Sequence, residues 1–115
     1  MSNISTHVLD TARGLPAAGV PVVLDREQSD GVASVFIAKG ETDADGRVKA
    51  LLPPGEALAA GVYRLRFDTG KYFASIGVAA FYPSVEVRFT VRDASRHHHV
   101  PLLLNPFGYS TYRGT

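Results

Sequence analysis

Alternation of apolar and polar residues is the dominant pattern along this chain. Between residues 84 and 92 the side chains of Val85, Val87, Phe89 and Val91 alternate with charged or hydroxyl-bearing ones. A period of two places the apolar set on one face, which predicts a half-buried antiparallel strand. Looser versions of the pattern predict further strands at residues 4–9, 20–24, 32–38, 47–52, 63–68, 97–104 and 109–113.

Turn-forming residues separate these segments at short intervals, as at residues 43–46 and 53–55. Seven to eight short strands with such spacing are typical of two packed sheets. One short helix is expected over residues 70–76, with Thr69 as its N-cap. Because no internal repeat or linker is visible, residues 1–115 are expected to form a single all-β domain, a two-sheet β-sandwich with one short helix.

The composition narrows the possible classes of function. The net charge is +1 and no basic run is present, which argues against a nucleic-acid partner. No apolar stretch approaches the roughly 18 residues of a membrane span. The beginning of the sequence lacks the pattern of a secretory signal, so a cytoplasmic location is expected. The absence of cysteine excludes disulfides, thiolate catalysis and cysteine-ligated zinc.

Three of the four histidines fall in one predicted strand. In an extended segment His98 shares a face with alternating apolar residues, while His97 and His99 point the other way with Pro101 and Leu103. An outward face that mixes imidazoles with apolar side chains favours a subunit contact or a ligand groove. A surface run of histidines without function is the alternative, and the pattern alone leaves both open.

His7 and Arg47 are candidates on other predicted strands. The alternating pattern of its strand places His7 on the outward face. Whether His7 has a functional role depends on whether its strand neighbours the strand that carries His99. Arg47 follows residues 43–46, where Asp-Ala-Asp-Gly predicts a type I turn. A calcium loop is disfavoured there because the downstream Glu ligand is missing. Arg47 is either an ordinary edge-strand charge or a planar donor for an anionic or carbonyl-rich ligand.

A metal site formed by His7, His97 and His99 is a competing interpretation, since three imidazoles can hold a metal with one open position. No acidic residue flanks these histidines in the sequence to orient them, so the metal site is the less favoured interpretation. The Gly-x-Ser-x-Gly motif of serine hydrolases is absent, and so are glycine-rich phosphate loops.

Several segments together resemble the transthyretin-like family, and within it the 5-hydroxyisourate hydrolases. The matching segments are STHVLDTA at residues 5–12, DGR at 45–47, FYP at 81–83, HVPLLL at 99–104 and GYSTYRG at 108–114. They span nearly the whole chain, and the Tyr-Arg-Gly tail is the most specific of them because it separates the hydrolases from the hormone carriers. The hydrolase tail continues with Ser, where this chain has Thr115.

The resemblance implies a transthyretin-like β-sandwich that assembles as a homotetramer, with active sites in clefts where subunits meet. It implies His7, Arg47 and His99 as catalytic residues, without deciding which histidine is the general base. It implies a substrate-binding role for the tail residues Tyr112, Arg113, Gly114 and Thr115. His97 is expected to support the site, and His98 stands where a tyrosine is usual.

The implied reaction is hydrolytic ring opening of 5-hydroxyisourate to 2-oxo-4-hydroxy-4-carboxy-5-ureidoimidazoline in urate breakdown, with no metal and no organic cofactor. Two alternatives remain: a non-catalytic transthyretin-like ligand carrier, and a three-histidine metalloenzyme.

Overall fold

The computed structural model describes residues 2–115, which contain nine strands and one short helix. The elements are β1 (Ile4–Asp10), β2 (Leu15–Pro16), β3 (Pro21–Glu27), β4 (Ser34–Glu41), β5 (Arg47–Val48), β6 (Gly61–Phe67), α1 (Thr69–Ser75), β7 (Val85–Val91), β8 (His98–Asn105) and β9 (Gly108–Thr111). Two of the strands are only two residues long, and the remaining seven agree with the predicted number.

The strands form two sheets, which confirms the predicted all-β sandwich. One sheet has the order β2-β1-β8-β9, with β5 also paired to β1, and the other has the order β4-β3-β6-β7. The β1–β8 pair is parallel, whereas the other pairs are antiparallel. β7 and β9 each end a sheet, so within the described chain each has a single hydrogen-bonded neighbour strand.

Alternation along β1 and β8 sets which side chains enter the core and which reach the outer face of their sheet. Ile4, Thr6 and Val8 of β1 are at most 1% exposed. In β8 the alternating set that begins with His98 is buried as well, as parity predicted. His7 and His99 occupy the opposite parity and are partly exposed. The outer face of this sheet therefore carries the imidazoles.

Several predicted boundaries shift in the structure. The N-cap of α1 is Asp68 rather than Thr69, because the Asp68 carboxylate accepts the backbone N–H of Lys71 at 3.1 Å. β4 begins at Ser34 because the Asp30 carboxylate accepts the N–H groups of Val32 and Ala33 in a preceding turn.

The strand predicted over residues 47–52 shrinks to Arg47–Val48. Leu51 and Leu52 are still buried, but they leave the ladder, and the Leu52 N–H donates to the Asn3 side-chain oxygen at 2.9 Å. The last strand ends at Thr111, so the tail beyond it is free to turn toward β8. Within residues 2–115 no helix has the length and apolar character needed to cross a membrane.

Candidate active site

Strand pairing brings three of the predicted residues onto one outer face. β1 lies between β8 and β5, with Ser5 opposite His99 and His7 opposite Arg47. Directly paired residues project their side chains to the same side of a sheet. The parallel β1–β8 pairing thus answers the question that parity left open, because the strand of His7 is the neighbour of the strand of His99.

An open cleft of about 240 Å³ lies over this face. Its lining residues are Ser5, Thr6, Arg47, Val48, Lys49, His97, His99 and Thr115. Two permanent cations and two imidazoles line it, whereas no Asp or Glu side chain does. A cleft of this character suits a small ligand that is anionic or that develops negative charge on its oxygens. His7 lies on the same face but outside the cleft lining.

The environment of His99 disfavours the charged form of its ring. Burial, followed by the charges of Arg47, His7 and His97, lowers the pKa of His99 below its ordinary value. A neutral imidazole at neutral pH is the form that can take a proton from water. His99 Nδ1 lies 2.7 Å from the hydroxyl of Ser5, so the ring is held by a short hydrogen bond from one side.

The turn before β5 fixes both His7 and Arg47. The carbonyl oxygen of Asp45 lies 2.8 Å from His7 Nε2, and since a carbonyl only accepts, this nitrogen carries the hydrogen. His7 Nδ1 is then the nitrogen available for chemistry. The Asp43 carboxylate accepts the backbone N–H of Arg47 at 3.0 Å, and the Gly46 N–H donates to the Asp43 carbonyl at 2.9 Å. The predicted type I turn is confirmed.

Arg47 itself keeps its donors free. Within residues 2–115 its guanidinium makes no hydrogen bond or ion pair, and the side chain is exposed where it lines the cleft. A planar fork of unpaired N–H donors can bind two oxygens of a ligand at once.

The tail folds back onto β8 and closes one side of the cleft. Gly114 forms an isolated antiparallel bridge with His99, and its N–H donates to the His99 carbonyl at 2.8 Å. Pro101 lies on the outward face as expected, opposite His7, and it is buried there beside Gly114 of the tail. Thr115 follows the bridge and lines the cleft.

Tyr112 and Arg113 do not line the same cleft within one chain. They border a neighbouring cavity of about 220 Å³, together with Phe89 of β7 and both His98 and His99 of β8. His99 is therefore the wall between the two cavities. Of the four tail residues, Thr115 lines the first cavity and Gly114 contacts His99. Tyr112 and Arg113 line the second cavity.

The histidines are not arranged as a metal centre. Among residues 2–115 no group of three or more His, Asp or Glu side chains has a geometry that could hold a metal ion. One nitrogen each of His97 and His99 is bonded to Ser5, and one nitrogen of His7 is bonded to Asp45.

Four residues that line the cleft, Ser5, Thr6, Val48 and Lys49, were not predicted as site residues from the sequence. Ser5 shares the parity of His7 on β1 and could have been found once the β1–β8 register was known. Lys49 lies just past the end of β5, where alternation carries no information, and it lines the cleft beside Arg47.

Comparisons with known proteins place these residues in a family. A family model described as HIUase/Transthyretin family matches residues 4–114. The 5-hydroxyisourate hydrolase of Salmonella typhi is 48% identical over 115 residues, covering 99% of this chain and 82% of that protein. The solved structure of Klebsiella pneumoniae 5-hydroxyisourate hydrolase is 38% identical, with a TM-score of 0.85, covering 99% of this chain and all of the other.

The shape of the fold does not distinguish a transthyretin from a 5-hydroxyisourate hydrolase. Transthyretin from Sparus aurata superposes with a TM-score of 0.90 at 33% identity, covering 99% of this chain and 97% of that one. The similarity in shape is thus as high for a transthyretin as for a hydrolase, whereas the sequence identity is higher for the hydrolases. With a full-length family match and these relatives, the chain belongs to the HIUase/Transthyretin family.

Proposed function

We propose that this chain is a metal-free hydrolase that opens the ring of 5-hydroxyisourate, giving 2-oxo-4-hydroxy-4-carboxy-5-ureidoimidazoline in urate breakdown. The observation that carries the proposal is the meeting of His99, Arg47 and Thr115 around one cleft, with His7 paired to Arg47 on the same face. Relatives that carry the name 5-hydroxyisourate hydrolase at 44–48% identity support the same substrate. The activity is assigned to a single domain, residues 1–115.

The proposed reaction begins with attack of water on a ring carbonyl. His99, whose lowered pKa favours the neutral ring, takes the proton from the water. Negative charge then builds on the carbonyl oxygen, and the free guanidinium of Arg47 stabilises it, an effect of about 3 kcal/mol in comparable sites. His7, held through Nε2 on the Asp45 carbonyl, offers Nδ1 to the departing ring nitrogen when protonated. These groups supply acid, base and oxyanion stabilisation without a metal or an organic cofactor.

The tail residues would orient the substrate. Thr115 borders the cleft, and Gly114 holds it there through its bridge to His99. Tyr112 and Arg113 border the adjoining cavity and would bind substrate where two subunits complete the site. A homotetramer is part of the proposal, since the edge strands β7 and β9 each offer an unpaired row of backbone groups to another copy. No nucleic acid or membrane partner is proposed, and the cytoplasmic location stays a prediction.

The decisive experiment is the decay of ultraviolet absorbance of freshly generated 5-hydroxyisourate. Chelator-treated protein should speed the decay, and it should yield one enantiomer of the product in excess over the racemate of spontaneous hydrolysis. If folded protein left the decay rate unchanged, the proposal would be wrong. If activity disappeared with the chelator and returned with zinc, the three-histidine metalloenzyme would be favoured instead.

A ligand carrier is the second candidate, favoured by one observation. The transthyretin of sea bream, solved in complex with thyroxine, superposes on this chain with a TM-score of 0.88. A carrier requires binding without turnover, so thyroxine affinity should be measured on the same preparation. Tight thyroxine binding with no effect on 5-hydroxyisourate would replace the hydrolase proposal with this one.

A further inference from the structure

A single hydroxyl joins two histidines of the cleft. The Oγ atom of Ser5 lies 2.7 Å from Nδ1 of His99 and 2.7 Å from Nε2 of His97. Ser5 is 7% exposed and lies on β1 directly opposite His99, whereas His97 precedes β8 and is exposed to solvent. The three groups therefore form a line of hydrogen bonds from the partly buried imidazole to the surface.

The chemistry of a hydroxyl couples the two rings. A serine hydroxyl has one hydrogen, so it donates to one imidazole and accepts from the other. When Ser5 donates to His97, it accepts from the Nδ1–H of His99, and Nε2 of neutral His99 keeps a lone pair. When Ser5 donates to His99, the hydrogen of that ring is on Nε2 instead. The orientation of one O–H bond thus decides whether Nε2 of His99 presents a lone pair or a hydrogen to the cleft.

The other nitrogen of His99 is free to react. Within residues 2–115 its Nε2 has no hydrogen-bonding partner, and the ring lines the cleft beside Arg47. No carboxylate is bonded to His7, His97 or His99 among these residues. The group that orients a catalytic imidazole is often a carboxylate, and here the serine hydroxyl occupies that position.

We propose that Ser5 and His97 form a proton relay behind His99, an inference that rests on the hydrolase function proposed above. Water gives a proton to His99 Nε2, and the Nδ1 proton of His99 passes to Ser5 Oγ. The hydrogen of Ser5 passes to His97 Nε2, and His97 releases its Nδ1 proton to solvent. His99 ends neutral with a hydrogen on Nε2, while the water oxygen bonds to the ring carbonyl carbon and the carbonyl π electrons move to its oxygen. No further bond is formed or broken in this step.

The electrostatics of the cleft favour moving the charge outward. Burial first, and then the charges of Arg47, His7 and His97, make a positive charge on the His99 ring unfavourable, as its lowered pKa reflects. His97 is exposed, so an added charge there is solvated. Ser5 and His97 are accordingly positioning residues that act through His99.

Substitutions can separate the hydrogen bond from the proton transfer. In Ser5→Ala both bonds are lost, and kcat should fall about 100-fold, the lower end of the effect of general acid–base catalysis. KM should change by less than about twofold, because Ser5 contributes to the chemical step rather than to binding.

His97→Gln keeps an amide near the position of Nε2. The amide can bond Ser5 but cannot carry a charge, so kcat should fall in this variant as well. Ser29→Ala, at an exposed serine between β3 and β4 of the other sheet, is the control and should retain full activity.

Two measurements make the test independent of stability. The dependence of kcat on the fraction of D₂O should be curved in the wild type, because several protons move, and linear in His97→Gln. Histidine ¹⁵N spectra should show the shifts of His99 Nδ1 and His97 Nε2 changing together in Ser5→Ala, whether or not the variant is active.

The relay and the hydrolase function fail in different ways. If the wild type does not turn over 5-hydroxyisourate, the proposed function falls first. If the wild type is active and both Ser5→Ala and His97→Gln match it in kcat and in solvent isotope dependence, the relay alone is overturned.

Discussion

Gly114 approaches the ring of His99 so closely that a Cβ atom added to it would lie 2.5 Å from His99 Cδ2 and 3.2 Å from Cγ. Its backbone dihedral angle is not in the left-handed region, so the requirement for glycine here is one of space. The tail and the catalytic imidazole are thus packed backbone against ring, and each fixes the position of the other.

Gly114→Ala should therefore misplace His99. We expect kcat/KM to fall about 100-fold, since a shift of about 1 Å in a reacting group costs that much. Gly108→Ala is the matched control, because a Cβ there would lie 3.7 Å from the Asn105 side chain, an ordinary contact. The absorbance assay and a thermal melt on both variants make the comparison. Equal activity of the two variants would contradict the packing argument.

His99→Asn and His98→Asn test the assignment of faces. His98 is 4% exposed and its Nδ1 bonds the Arg96 carbonyl at 2.8 Å, a hydrogen bond that the Asn amide can also donate. His99→Asn should lower kcat by at least about 100-fold through loss of the base. His98→Asn should keep most of the activity and lower the melting temperature. The reverse result would place the reactive imidazole on the other face of β8.

The sequence was sufficient to predict which face of a strand each side chain occupies, but not which strands are neighbours in the sheet. Alternation predicted the correct faces for His7, His98 and His99, because successive side chains of a strand point to opposite sides of the sheet. It could not give the parallel pairing of β1 with β8, since those strands are about 90 residues apart and share no local signal. Ser5 was overlooked for that reason.

Two further details lay outside the alternation pattern, each for its own reason. The Asp68 carboxylate, not the Thr69 hydroxyl, caps α1, and both residue types are good caps. Pro101 is buried by a tail that returns across β8 after Thr111, and no alternation pattern describes such a return.

Tyr72→Phe should destabilise the fold without changing the cleft. The Tyr72 hydroxyl donates to Asp10 Oδ2 at 2.7 Å and ties α1 to the end of β1, where Asp10 is 1% exposed. Loss of one partner of a buried carboxylate should lower the free energy of unfolding by about 1–3 kcal/mol. Urea unfolding measures this, with Tyr82→Phe as the control because that hydroxyl has no hydrogen-bond partner within residues 2–115. An unchanged midpoint for Tyr72→Phe would mean that the bond contributes nothing.

Thr115 tests the hydroxyl at the tail. Thr115 lines the cleft, and Thr115→Ser keeps a hydroxyl on this residue, so it should leave kcat/KM unchanged or slightly higher. Thr115→Val replaces the hydroxyl with a methyl group of similar size, and we expect kcat/KM to fall about tenfold, the effect of one lost hydrogen bond. Steady-state kinetics on the pair separates the two roles. If the valine variant equalled the serine variant, the hydroxyl would have no part in binding.

The pH dependence of the reaction should depend on Arg47. The pKa of His99 is lowered from 6.5, by burial first and by Arg47 second. A lowered pKa means that the neutral base persists to lower pH, so kcat/KM should hold at pH 6.5 and fall only as the pH drops through the lowered value. Arg47→Gln removes one of the positive charges near His99. The acidic limb, the part of the pH profile where kcat/KM falls at low pH, should therefore move to higher pH, toward the ordinary pKa of histidine.

The same variant should lose rate at every pH, by about 100-fold or more, because the oxyanion loses its donor. Lys39→Gln removes an equal charge from β4 on the other sheet and should alter neither the rate nor the limb. A pH profile of kcat/KM for the wild type and both variants distinguishes the effects. If Arg47→Gln lost rate but its acidic limb stayed where it is in the wild type, Arg47 would be an oxyanion donor but not a cause of the lowered pKa of His99. An acidic limb above pH 6.5 in the wild type would contradict the lowered pKa of His99, because a lowered pKa places the loss of the neutral base below its ordinary value.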